Sequence, residues 1–184
     1  MIDGSSMLIN THRFKMQPTE RQLQIVRQQI GREPRGIEAI AAQTPSGVPL
    51  VLQMRSLIDD KPFPTLYWLS SKDLSVEISR VEMTGWIKRF EEELQGDSEL
   101  RDTYMAQQKH YMERRWELMR SEDKQRIETL GFTKMFNEVG IGGIANWDKV
   151  RCLHMNYAYH LVEPNVVGER LDQEFNMNEL APEF

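Results

Sequence analysis

Cysteine is nearly missing: Cys152 is the only one among 184 residues. One thiol excludes an internal disulfide framework and suits a reducing compartment. Long apolar runs are missing too. No stretch approaches the ~18 consecutive residues of a membrane span, and the first residues carry no secretory h-region. The expectation is a cytoplasmic chain with no membrane partner. A basic stripe is also lacking: Lys and Arg number 23 against 28 Asp and Glu, for a net charge of −5. A nucleic-acid partner is therefore not expected. From Glu163 onward, six acids (Glu163, Glu169, Asp172, Glu174, Glu179, Glu183) face one base, Arg170. That end carries the whole excess, and the rest of the chain is neutral. No complete catalytic motif, internal repeat or low-complexity segment is present.

What is there fits a single soluble domain. The hydrophobic share of 40% and charged share of 28% are ordinary for a globular protein, and the length allows a sizeable core. Residues 1–17 hold Gly4-Ser5-Ser6 and no periodic apolar face, and read as a flexible arm. Residues 18–175 read as one α+β domain, mostly helical, with a small β-hairpin or short antiparallel sheet. Residues 176–184 form an acidic tail.

Leu23, Val26 and Ile30 recur at helical spacing after Pro18, and Gly31 is a natural stop. Val48–Met54 and Phe63–Leu69, rich in branched and aromatic residues around the polar Ile58–Pro62 loop, give a hairpin signal. Ser70 or Ser71 caps a helix with Leu74, Ile78 and Val81 on its inner face, and Ile87, Phe90 and Leu94 resume the pattern. Asp97-Ser98 opens a long charged helix to about Leu130. Along it Tyr104, Tyr111 and Leu118 recur every seven residues, shadowed by Met105, Met112 and Met119. This stripe reads as core or a helix seam, and the mixed charges of Glu113–Arg115 and Ser121–Lys124 as a solvated face.

Chemistry-bearing residues concentrate between Gly140 and Leu161. Gly140, Gly142 and Gly143 allow close backbone approach, and Asn146 is a good N-cap for a helix running on from it. Exposed N–H groups before a helix start make a plausible anion cradle, although the spacing matches neither a P-loop nor a dinucleotide fingerprint. The plainer alternative is a flexible turn before a packed helix. At about 100° per residue, Val150, Leu153, His154, Tyr157 and Leu161 share one face and Cys152 points away. On a regular helix Cys152 and His154 then cannot hold one ion, so no metal and no cofactor are expected. His154 reads first as a buried, hydrogen-bonded side chain, and Cys152 as a small hydrophobe. Upstream, Arg32 and Arg35 flank Pro34 in a stiffened loop, suited to bidentate contact with phosphate or carboxylate or to an internal ion pair with Glu33 or Glu38.

Five blocks together, Gly31–Ile37, Lys61–Leu69, Ile78–Glu82, Val150–His154 and Asn165–Gly168, resemble an uncharacterised bacterial family, domain of unknown function 501. The blocks keep that family's order from about residue 20 to 175. The resemblance implies a bacterial cytosolic domain and carries no catalytic signature. It also implies cysteines in many relatives where this chain has Thr44 and Ser71, so any metal site they build is expected to be lost here.

Three functional classes remain open. The first is a binding or regulatory domain for a small anionic ligand, phosphorylated ones included, its pocket formed by Arg32, Arg35, Gly140, Gly142, Gly143, Asn146, Arg151 and His154. The second is a hydrolase or group-transfer enzyme using His154 or His160 as base in that pocket. The third is an interaction module, a homo-oligomer or protein partner docking on the Tyr/Met helix.

Overall fold

Strand β2, Pro49–Met54, is buried at every position, because it is the centre of a three-stranded antiparallel sheet covered on both faces. Its neighbours are β1, Ile37–Gln43, and β5, Tyr67–Leu69, in the order β1-β2-β5. The register pairs Leu52 with Trp68 and Val51 with Leu69, and alternation sends these pairs to opposite faces. The structure is a computed structural model that describes residues 17–180 and 182–183. The expected arm at 1–17 therefore lies, but for Gln17, outside the described residues.

On the inner face, Val51, Tyr67 and Leu69 join the main core with Leu74, Ile78, Phe90, Tyr104, Tyr111, Leu153, Tyr157 and Leu171. Those side chains come from α2 (Lys72–Glu82), α3 (Trp86–Gly96), α4 (Ser98–Leu118), α7 (Leu153–His160) and α8 (Val166–Phe175). A second cluster, Leu57, Met119, Ile127 and Phe136, lies under α5 (Ser121–Thr129) and α6 (Thr133–Glu138). On the outer face, Leu52 and Met54 meet Val26 of α1 (Glu20–Ile30). Between β2 and β5 the chain makes a two-stranded hairpin, β3 (Leu57–Ile58) with β4 (Lys61–Pro62).

The fold is α+β and mostly helical, as the sequence indicates. Helix α1 opens on a Thr19–Gln22 capping box and stops at Gly31 in the left-handed conformation. Ser71 caps α2 through the Leu74 N–H. The Tyr stripe faces inward: Tyr104 and Tyr111 are 1% and 0% exposed, and Leu118 packs against the same core. That burial takes the tyrosines out of any docking face on this helix, whereas Met105 and Met112 are half-buried.

Three expectations are corrected. The long helix breaks at Met119-Arg120, because Met119 drops into the second cluster while Arg120 reaches Glu38 at 2.7 Å. Asp123, read as solvated, is buried and held by the Arg55 guanidinium through two bonds of 3.1 and 2.5 Å. Arg115, read with the solvated face, is fully buried; Met177, at the start of the acidic end, joins the main core.

Candidate functional site

Helix α1 covers only part of the outer sheet face. The remainder forms the floor of a cleft of about 310 Å³ lined by Ile37, Leu52, Met54, Phe63 and Trp68. Phe63 and Trp68 stack with centroids 5.7 Å apart, presenting a flat aromatic wall. The loop after α1 closes one side with Arg32, Pro34 and Arg35, and the β3–β4 hairpin closes the other with Ile58, Asp59 and Lys61. Gly36 is what lets the loop seat against the hairpin: its φ is +71°, and a Cβ there would stand 2.4 Å from Ile58 Cδ1. Arg35 pairs with Asp59 at 2.6 Å, both largely solvated, so the pair orients the guanidinium more than it stabilises the fold. Arg32 and Lys61 are exposed and make no ion pair among the described residues. The rim thus carries three cations against one carboxylate. A shallower groove shares Ile30, Arg32 and Trp68 with this cleft and continues past Lys72, Ser75, Ser79 and Met83 of the α2 region.

The other residues singled out in the sequence lie elsewhere, and none of them lines the cleft. The glycines form a 3-10 turn, Ile141–Gly143, wedged between Pro64 and the Cys152–Met155 segment. Its donors are mostly engaged within the protein: Gly140 N–H with Ile144 O, Gly143 N–H with Gly140 O, and Ile141 N–H with the buried Gln108 side chain. A Cβ at Gly140 would stand 2.0 Å from Gln108 Oε1, so this glycine is required by packing. Asn146 caps no helix. Its side chain accepts from Asp148 N–H in a local turn, and the helix begins seven residues later, at Leu153. The intervening segment is held non-helical by outside partners. Asp148 pairs with Arg101, Lys149 O accepts from Tyr104, and Val150 N–H donates to Glu91. Arg151 is exposed.

That late start corrects the geometry of Cys152 and His154. Cys152 is the extended residue before α7, with φ −149° and ψ 118°, not a member of a helix pointing away. Its Sγ lies 3.8 Å from His154 Nδ1. Glu82, the last residue of α2, completes a group: its Oε1 is 3.4 Å from the same Nδ1 and accepts the Leu153 N–H at 2.8 Å. The three ligating atoms lie within 4.8 Å of one another, the one such group of His, Cys and acidic side chains among the described residues. The thiol beside its ring, with the Glu82 carboxylate, raises the His154 pKa above the ordinary histidine value against the opposing effect of burial. His160 is committed differently. Its Nε2 contacts Asp172 at 2.9 Å and its Nδ1 accepts the Asn165 N–H, while Tyr157 donates to the other Asp172 oxygen. Both ring nitrogens hold α7 to α8, leaving none to act as a base.

Arg115, which the sequence placed on a solvated face, is instead fully buried, with no carboxylate partner among the described residues. Its guanidinium donates to the carbonyls of Pro64, Phe136 and Val139 at 2.6–2.9 Å and lies over the rings of Tyr111 and Phe136. Burial pushes it down to about 10, so it stays charged at neutral pH. The last carbonyls of α6, the negative end of that helix, stand in for a counter-ion. Its signal was the helical phase: Tyr104, Gln108, Tyr111 and Arg115 recur on one face.

Fold and cleft together define a mostly helical α+β domain, built on a three-stranded antiparallel sheet, with an open, basic-rimmed aromatic cleft. A family model described as protein of unknown function, DUF501, matches residues 40–173, and the chain belongs to that family. The matched stretch contains Glu82, Cys152 and His154 and begins after the Arg32/Arg35 loop. No match was found among curated proteins or solved structures. Among the described residues, no helix is long and apolar enough to cross a membrane.

Proposed function

We propose that this protein is a binding domain for a small anionic ligand, phosphorylated or carboxylated, that carries a flat apolar body. The reading rests on one observation: among the described residues, Arg32 and Lys61 stand without carboxylate partners at the rim of an apolar cleft walled by the stacked Phe63 and Trp68. An aromatic body gains area and stacking on that wall, while the phosphate meets guanidinium donors in a forked geometry. Pro34 limits the loop's freedom and so lowers the entropy lost on binding. The glycine turn is not needed for this reading. A histidine base has no place in it either, since neither His154 nor His160 lines the cleft.

The test uses 1-naphthyl phosphate and inorganic phosphate as probes, followed by Trp fluorescence and thermal midpoint. Naphthyl phosphate should bind more tightly than phosphate. Arg32→Ala should weaken it by roughly 1.5–3 kcal/mol, the range for hydrogen bonds to charged groups. Trp68→Ala should abolish the advantage over inorganic phosphate. Equal midpoint shifts in wild type and Arg32→Ala would defeat the reading.

A further inference from the structure

The geometry points to a zinc site built from Glu82, Cys152 and His154, with its fourth position open to solvent. The residues come from two elements and one cap: the C-terminal residue of α2, the extended residue before α7, and the second residue of α7. Zinc takes nitrogen, sulfur and oxygen donors in tetrahedral array, and metal–donor distances of about 2.0–2.3 Å make each edge of the tetrahedron about 3.4–3.6 Å. The Nδ1–Oε1 edge is 3.4 Å and the Sγ–Nδ1 edge 3.8 Å. The first fits as it stands, and the second closes with a movement of a few tenths of an ångström.

The imidazole is set in the tautomer a metal needs. His154 Nε2 lies 3.1 Å from the Ser75 carbonyl oxygen and 3.3 Å from the Ser79 hydroxyl. A carbonyl only accepts, so Nε2 carries the proton, and in the neutral ring Nδ1 keeps its lone pair, facing the Cys152 Sγ and the Glu82 Oε1. A backbone carbonyl orienting the far nitrogen is the usual outer-shell support of a metal-bound histidine. Charge points the same way. A thiolate beside Glu82 concentrates two negative charges on a neutral imidazole, which a divalent cation neutralises. Mixed nitrogen, sulfur and oxygen donors suit zinc better than magnesium or calcium. The side chains of Glu82 and His154 are 30% and 21% exposed, so a water or an anion can reach the remaining position, as in zinc sites with three protein ligands.

The site is independent of the cleft: none of its ligands lines that cleft, and its success or failure leaves the anion reading untouched. To test it, chelator-treated full-length protein is titrated with zinc, and with cobalt as a spectroscopic probe. One zinc should bind per chain, and the cobalt form should show a sulfur-to-cobalt charge-transfer band that Cys152→Ser lacks. Ser79→Ala should weaken zinc binding about tenfold, and His154→Gln by more than the roughly 10–100-fold typical of outer-shell changes. Zinc should also protect Cys152, the one thiol of the chain, from alkylation in the wild type, a readout that needs no variant to fold. Less than one zinc per chain at micromolar free metal, unchanged affinity in a folded Cys152→Ser protein, or undiminished alkylation would each overturn the assignment.

Discussion

Gly168 lies against the imidazole of His160: a Cβ there would stand 2.0 Å from the ring Cγ and 2.4 Å from Nδ1. The contact is backbone of α8 on side chain of α7, and the ring cannot retreat because both its nitrogens are bonded. Gly168→Ala should therefore cost about 1–3 kcal/mol, as for other forced additions to a packed interior. Gly96→Ala, where nothing lies within 4 Å of the added atom, is the control. Denaturant midpoints of the two variants check this, and equal midpoints would show that the α7–α8 contact is loose.

Tyr111 supplies a second handle on the core. Its hydroxyl accepts the Leu66 N–H at 2.7 Å where no solvent reaches, and its ring meets Tyr67 and Tyr159 edge-on. Tyr111→Phe keeps the rings but orphans the amide, which should cost about 1–3 kcal/mol. Tyr111→Ala also leaves a void and should cost about 3–5 kcal/mol. The order of the two urea midpoints is the measurement. A Phe variant as stable as wild type would mean the amide finds another partner.

His154 should make stability depend on pH in opposite senses with and without zinc. In the metal-free protein its pKa is raised in the folded state, chiefly by Cys152 and then by Glu82. Its contribution is therefore complete below the unfolded-state value and lost as pH rises through the higher folded value. His154→Gln should then cost most in mild acid and progressively less toward alkaline pH. With zinc the trend reverses, since protons compete with the metal for His154 and Cys152. Urea midpoints of both proteins between about pH 5.5 and 8.5, bracketing histidine titration, would expose either slope. A cost of substitution that is flat across that range would contradict the raised value.

Helix ends and inner faces were legible where a local signal carried them. Gly31 and Ser71 act within four residues of the groups they satisfy, and the Tyr104/Tyr111 spacing encodes its own burial. Strand β1 was not legible. Ile37–Gln43 holds three alanines, good helix formers, and becomes a strand only through its ladder to β2, itself interrupted by register shifts. The start of α7 was misplaced because Asn146 offers a cap, whereas Arg101, Tyr104 and Glu91, more than 40 residues upstream, hold the following turn open. Tertiary contacts outweighed a local preference there.

The same displacement hid the site residues. Helical phase set Cys152 apart from His154 only on the premise that both were helical. Glu82 carries no spacing signal at all, since it sits 70 residues before Cys152 and arrives through the packing of α2 on α7. For the cleft, the Arg32-Pro34-Arg35 loop was visible in the sequence, but its aromatic wall was not. Trp68 and Phe63 read as ordinary strand residues until α1 proves too short to cover them.

Helix α1 is fastened to the sheet by few ties: Val26 on Leu52 and Met54, Gln29 donating to Pro49 O, and Gln22 to Gln43. The inner helices interlock in one continuous core instead. The molecule is therefore unevenly cooperative. Lifting α1 breaks a short seam and leaves the rest standing, so its amides exchange with solvent by a partial opening well below the cost of global unfolding. Ile30 at the end of α1 and Trp68 of the sheet both border the cleft. A guest seated between them bridges the seam, and its binding energy is felt as slower breathing of this one helix.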